Sequence, residues 1–101
     1  MPKPQNPTYD LAELQRLVRE NHYVVTSKAV SGAASLSFDS DDIRDCVLGL
    51  RLDDLHKTME AENVPGLWQD VYRPLYGGVR LYVKLQLSRH GKAVVIQFKR
   101  R

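Results

Sequence analysis

The chain has 101 residues, a formal net charge of +3, 43% hydrophobic residues and 27% charged residues, the proportions of one folded domain rather than of a disordered segment or of two domains. Its longest apolar runs, such as Ala93 to Ile96, fall far short of the ~20 residues a membrane helix needs, and its amino terminus shows no apolar signal region. The single cysteine can make neither an internal disulfide nor a thiolate metal cluster, so a cytoplasmic protein without membrane association is expected.

Residues 1 to 7 hold three prolines and read as a flexible lead-in. Thr8 or Asp10 can cap a first helix, with Glu13 three residues after Asp10 and Leu11, Leu14, Leu17 and Val18 along one face. Tyr23 to Val25 is long enough only for an edge strand or an extended link. Thr26 or Ser27 can cap a second helix, weakened by Gly32, whose buried stripe would be Ala29, Val30, Ala33 and Ala34. Asp39 or Ser40 opens a third, in which Ile43, Cys46, Val47 and Leu50 recur at helical spacing while Asp41, Asp42 and Asp45 face solvent.

From there the period changes. His56 to Met59 and Leu67 to Arg73 read as strands separated by the turn residues Asn63, Pro65 and Gly66, and Pro74 to Gly78 turns the chain again. Between Val79 and Ser88 apolar and polar residues alternate without a break, with Val79, Leu81, Val83, Leu85 and Leu87 on one face and Arg80, Tyr82, Lys84, Gln86 and Ser88 on the other. A second alternating run puts Val94, Ile96 and Phe98 on one face and Val95, Gln97 and Lys99 on the other. A turn at His90-Gly91 would place Tyr82 opposite Lys99, Leu85 opposite Ile96 and Leu87 opposite Val94, whereas a turn at Gly91-Lys92 would pair Lys99 with Lys84. Either register gathers Tyr82, Lys84 and Lys99 on the non-core face. The expected fold is α+β in one domain, with three amino-terminal helical segments on one face of a mainly antiparallel sheet whose other face stays open.

Charge is distributed unevenly along this plan. After Asp70 there is no acidic residue, and Arg73, Arg80, Lys84, Arg89, Lys92, Lys99, Arg100 and Arg101 are all basic; the first 70 residues hold seven basic and twelve acidic side chains. A polyanion-binding surface on an acidic body has this form, and so does a solvated basic tail. There is no phosphate-binding glycine loop, no dinucleotide fingerprint and no paired Cys/His spacing, which removes nucleotide hydrolysis, hydride transfer and zinc chemistry and leaves no cofactor or metal to expect. Cys46 lies on an apolar helical stripe and reads as a core thiol; His22, His56 and His90 do not converge.

The open face concentrates tyrosine, lysine and arginine. RNA is cleaved without a metal when its own 2′-hydroxyl attacks the adjacent phosphate, which requires a proton acceptor, a proton donor and cations that hold the developing charge. Tyrosine and lysine can fill these roles where neighbouring cations lower their pKa. The same face could instead bind RNA without cutting it, or the acidic and basic halves could simply contact protein partners.

The string Trp68-Gln69-Asp70-Val71-Tyr72-Arg73-Pro74 resembles the signature of the MqsR family of toxins. Leu48-Gly49-Leu50, Asp54 to Met59, Leu81 to Lys84 and the closing Phe98-Lys99 match around it, so the resemblance runs from the first helix onward. It implies a RelE-like α+β endoribonuclease that cuts messenger RNA at short GC-containing sites and is neutralised by an MqsA-like antitoxin encoded next to it. The active-site residues it implies are Lys57, Gln69, Tyr82 and Lys99, with Arg73, Arg80, Lys84, Arg100 and Arg101 available to phosphates. Two departures follow. The stretch from Asp39 to Asp45 is longer than the family pattern. Putting Gln69 on the open face also turns Asp70 toward the helices, where a buried carboxylate needs a partner, for which an arginine is the natural candidate.

Overall fold

The computed structural model describes residues 6–101; Met1 to Gln5, most of the expected lead-in, lie outside the described residues. Helix α1 spans Leu11–Arg19 and is capped by Asp10, whose side chain accepts from the Ala12 amide. Its larger apolar residues Leu11, Leu14, Leu17 and Val18 are all buried, as one stripe at helical spacing requires. Strand β1 (Tyr23–Val25) leads into α2 (Ser27–Ala34), capped by Thr26. Helix α3 covers Ser40–Leu48 and begins with a reciprocal capping box between Asp39 and Asp42, so the longer acidic stretch serves to start this helix. A short 3-10 turn, Leu52–Asp54, precedes β2 (Leu55–Glu60), β3 (Trp68–Tyr72), β4 (Leu75–Tyr76), β5 (Val79–Leu87) and β6 (Ala93–Arg100).

The strands form a sheet in the order β1-β6-β5-β3-β2, with β4 paired to β5. All pairings are antiparallel except that of β1 with β6. The α+β class and the helical covering of one sheet face are as expected. The core joins Leu14, Val18, Ile43, Val47, Leu55, Tyr72, Leu81, Val83, Leu85, Val95 and Phe98. Cys46 belongs to it, and burial pushes its thiol up to about 12, which leaves it an inert core group.

Three expectations are corrected. The buried stripe of α2 is only Ala29 and Ala33, since Val30 is 49% exposed and Ala34 is exposed too. The stripe is narrow because α2 lies along the edge of β6 beyond the three residues of β1: Thr26 donates from its amide to the Val95 carbonyl and from Oγ1 to the Ile96 carbonyl. A Cβ added at Gly32 would stand 2.0 Å from the Phe98 carbonyl oxygen. The residue that weakens α2 as a helix is thus the one that lets it approach the sheet.

The second correction concerns the β5–β6 hairpin. Its turn is a three-residue loop, Arg89-His90-Gly91, closed by Ser88 N donating to the Lys92 carbonyl, with Gly91 at φ 79°, the left-handed position that glycine fills at least cost. The pairing Tyr82 with Lys99 holds, but the register slips between Lys84 and Leu85, so Leu85 meets Val95 and Leu87 meets Ala93. Ile96 is the extra residue of this bulge, and beyond it the faces exchange: Ala93 and Val95 enter the core while Val94 and Ile96 are half-buried. Strict alternation extrapolated through a bulge inverts every residue past it.

The third is the partner of Asp70. Its carboxylate is fully buried and accepts hydrogen bonds from the Thr8 and Tyr9 amides at 2.9 and 2.8 Å, while the Tyr9 hydroxyl donates to the Trp68 carbonyl. Backbone amides, not an arginine, satisfy it.

Candidate active site on the open sheet face

Residues directly opposite one another in antiparallel strands share a face, so the register assembles the open face row by row. In one row Lys57 of β2 faces Val71 of β3, Val71 faces Lys84 of β5, and Lys84 faces Gln97 of β6. Beside it Tyr82 faces Lys99. On the other side Met59 faces Gln69, whose Nε2 donates to Gln86 Oε1 at 2.9 Å.

Tyr82 does not stand upright in its row. Its hydroxyl reaches Met59 Sδ on β2 at 4.0 Å, so the two side chains together bridge β3, the strand that holds Val71. This accounts for a valine that is fully buried yet outside the helix-side core. Lys99 Nζ lies 4.9 Å from the centre of the Tyr82 ring and Lys84 Nζ 6.0 Å, distances at which a cation is drawn to the ring electrons. The tyrosine is therefore held on one side by packing and on the other by ammonium groups.

The electrostatics of the pair differ from the expectation that cations lower both. Burial raises the Tyr82 pKa above its ordinary value of 10.0, so the phenol keeps its proton at neutral pH. Lys84 moves the other way: desolvation pushes it below the ordinary lysine value, reinforced by the charges of Lys28, Lys57 and Lys99 and opposed by Glu62. An acid that holds its proton thus sits beside an amine that gives one up more readily.

The residues singled out from the sequence divide into groups. Lys57, Tyr82, Lys84 and Lys99 converge. Gln69 adjoins them, but it is buried and already bonded to Gln86, so it can present its carbonyl while its amide is held. Arg73, Arg80 and Arg101 line a neighbouring cleft of about 320 Å³ with His56, Asp53 and Asp54. There Arg80 Nη1 donates to the Arg73 carbonyl, and Arg73 Nη1 lies 3.2 Å from His56 Nδ1; since arginine can only donate, Nδ1 is the accepting nitrogen. Arg100 is set apart, because it pairs opposite the core residue Leu81 and so projects to the helical side at the end of the sheet. Among the described residues no three His, Cys, Asp or Glu side chains are grouped to hold a metal ion, and no helix is long and apolar enough to cross a membrane.

Sequence reasoning missed Met59 and Lys28 as neighbours of this cluster, and it put Gln86 and Gln97 on the face without giving either a role. Alternation from Lys57 could have found Met59, two residues on. Nothing in the pattern of α2 marks Lys28, because the bond between that helix and β6 spans about seventy residues of chain.

These features define a class: a small α+β protein whose sheet carries helices on one side and a cationic, tyrosine-centred face on the other. The chain belongs to the family described as the motility quorum-sensing regulator, toxin of MqsA, whose model matches residues 6–100. It is also 27% identical over 95 residues to the mRNA interferase toxin MqsR of Escherichia coli (strain K12), an alignment covering 94% of this chain and 95% of that protein.

Proposed function

We propose that this protein is an mRNA endoribonuclease, the toxin of a type II toxin–antitoxin pair, which cleaves at short GC-containing sites without a metal and is neutralised by an MqsA-like antitoxin. The observation that carries the reading is the convergence of Tyr82 with Lys57, Lys84 and Lys99 on the open face; family membership and the name of the Escherichia coli relative support it.

In this reading the 2′-hydroxyl of the RNA attacks the adjacent phosphorus, the P–O5′ bond breaks, and the products carry a 2′,3′-cyclic phosphate and a 5′-hydroxyl. Tyr82, protonated at neutral pH, donates to the leaving 5′-oxygen. The amine that accepts the 2′-hydroxyl proton comes from the lysines around it, of which Lys99 lies nearest to the Tyr82 ring. Lys57 and Lys84 hold the phosphate charge, Gln69 orients the base through its free carbonyl, and Arg73, Arg80 and Arg101 contact flanking phosphates.

Incubating the protein with GC-containing RNA in EDTA and analysing fragment ends tests the chemistry. Cyclic phosphate and 5′-hydroxyl ends are expected. A shifted but intact RNA would instead make this an RNA-binding module, and 5′-phosphate ends would overturn the 2′-hydroxyl mechanism. Expression alone should arrest bacterial growth, and co-expression of the neighbouring gene should relieve it through a stable complex.

A further inference from the structure

Helix α2 runs beside β6 in the same direction. Its start is bonded to the Val95 and Ile96 carbonyls through Thr26, and Gly32 lies against the Phe98 carbonyl, with Lys99 Cβ 3.7 Å from where its own Cβ would be. Lys28 is four residues before Gly32, on the same helix face and about 6 Å back along the axis. That distance corresponds to about two strand residues, which brings Lys28 level with Ile96 and Gln97. Gln97 is the β6 member of the row that contains Lys84, Val71 and Lys57. The row therefore continues past the sheet edge onto α2.

We propose that Lys28 is a phosphate ligand at the far end of this row, so that the RNA backbone crosses the sheet perpendicular to the strands, from Lys57 over Lys84 to Lys28. The inference rests on the endoribonuclease reading and adds to it the path of the substrate. From β2 to β6 the row covers three strand spacings, about 14 Å, and α2 lies beyond, so Lys28 meets a phosphate beyond the one at the Tyr82–Lys99 pair. Lys28 is exposed and forms no ion pair among the described residues, which leaves its ammonium available. Among the charges acting on Lys84, that of Lys28 is the largest, as it should be if both ammoniums lean over Gln97. Glu62 is the carboxylate facing the group, and its charge acts on Lys84 in the opposite sense.

The test uses Lys28→Gln, with Lys28→Arg as the charge-keeping variant and Lys92→Gln in the β5–β6 turn as a control for loss of overall charge. Binding is measured by fluorescence anisotropy across a salt series on a 2′-O-methyl octanucleotide, which cannot be cleaved, and on a 2′-O-methyl dinucleotide too short to span the row. For the octanucleotide, Lys28→Gln should weaken binding severalfold and flatten the slope of log affinity on log salt by about 0.7, the value for one neutralised phosphate on a single strand. The dinucleotide should bind Lys28→Gln and wild type alike, and Lys28→Arg should restore the octanucleotide. An unchanged slope, a loss equal for both lengths, or a loss matched by Lys92→Gln overturns the path. Failure of the wild-type protein to bind or cut RNA would instead remove the underlying reading.

Discussion

Lys99 stands directly across from Tyr82 on the neighbouring strand, with its ammonium 4.9 Å from the centre of the phenol ring. The bulge that disturbs this hairpin begins two pairs further toward the turn, after Lys84 and Gln97; Tyr82 and Lys99 are paired in the part whose register the alternation predicts. If they act as one proton-transfer unit, Tyr82→Phe should lower cleavage by about 10² to 10⁴-fold, as loss of a general acid or base does. Lys99→Ala should do the same, and the double variant should be little worse than the poorer single. Single-turnover rates on GC-containing RNA, with circular dichroism to show the fold retained, decide this; full activity of Tyr82→Phe would take the hydroxyl out of the chemistry.

The pH dependence has two separable parts. Because the Tyr82 pKa is raised above 10.0, its proton-donating form persists throughout the neutral range and beyond, so a tyrosine titration should not limit the rate below pH 10. Lys84 is lowered and therefore loses its charge before an ordinary lysine as pH rises, so RNA affinity should fall first on its account. Removing a like charge in Lys57→Gln raises the Lys84 pKa and shifts that fall to higher pH. NMR titration of labelled lysines alongside affinity measured against pH tests both; a Lys84 titration unmoved by Lys57→Gln would uncouple the two.

Asp70 makes a structural prediction. Replacing it with Ala removes the acceptor of two backbone amides and should cost about 1.5 to 3 kcal/mol, the range for hydrogen bonds to a charged group. The Thr8 and Tyr9 amides should also exchange with solvent faster. Denaturant unfolding with hydrogen exchange resolved at those residues measures both, and wild-type stability would mean that the carboxylate is not what fastens this segment.

Gly32→Ala should be worse than its helix propensity suggests. Alanine favours a helix by about 1 kcal/mol over glycine, yet here its methyl would meet the Phe98 carbonyl oxygen at 2.0 Å, so α2 must move away from β6. A lowered melting temperature is expected, and an increase would show that the helix can shift without loss.

For the strand as a whole, Arg80 and Lys84 replaced together by Ala should weaken RNA binding and flatten its salt dependence by about 0.7 for each phosphate that is no longer neutralised. An unaltered slope would make this strand solvated surface.

How far the sequence can be read depends on the range of the interactions involved. Helices α1 and α3 are legible because caps and apolar spacing are local, and the face of β5 is legible because nine residues alternate without interruption. The exchange of faces in β6 is not, since a bulge arises between two strands and leaves no mark on either alone. The partner of Asp70 lies about sixty residues away in sequence and is main chain, which no residue pattern announces. The site itself is half legible: alternation brings Tyr82, Lys84 and Lys99 together, while Lys57 and Gln69 rest on the family resemblance. Charge alone groups Arg100 with the basic face, although it alternates with Lys99 and Arg101 along the strand.

The parallel pairing of β1 with β6 joins Tyr23 to Ala93, and α2 rests on the same late strand. When a ribosome makes this protein, β1 and α2 emerge long before there is anything for them to dock on. They wait until residues through about Lys99 have followed, and closing so long a loop is slow relative to local helix formation. The lysine row and the Tyr82–Lys99 pair come into being in that same step, because β6 supplies a member of each. Growing chains therefore lack the Tyr82–Lys99 pair until β6 docks, and under the proposed function a chain still short of β6 has no cleaving site.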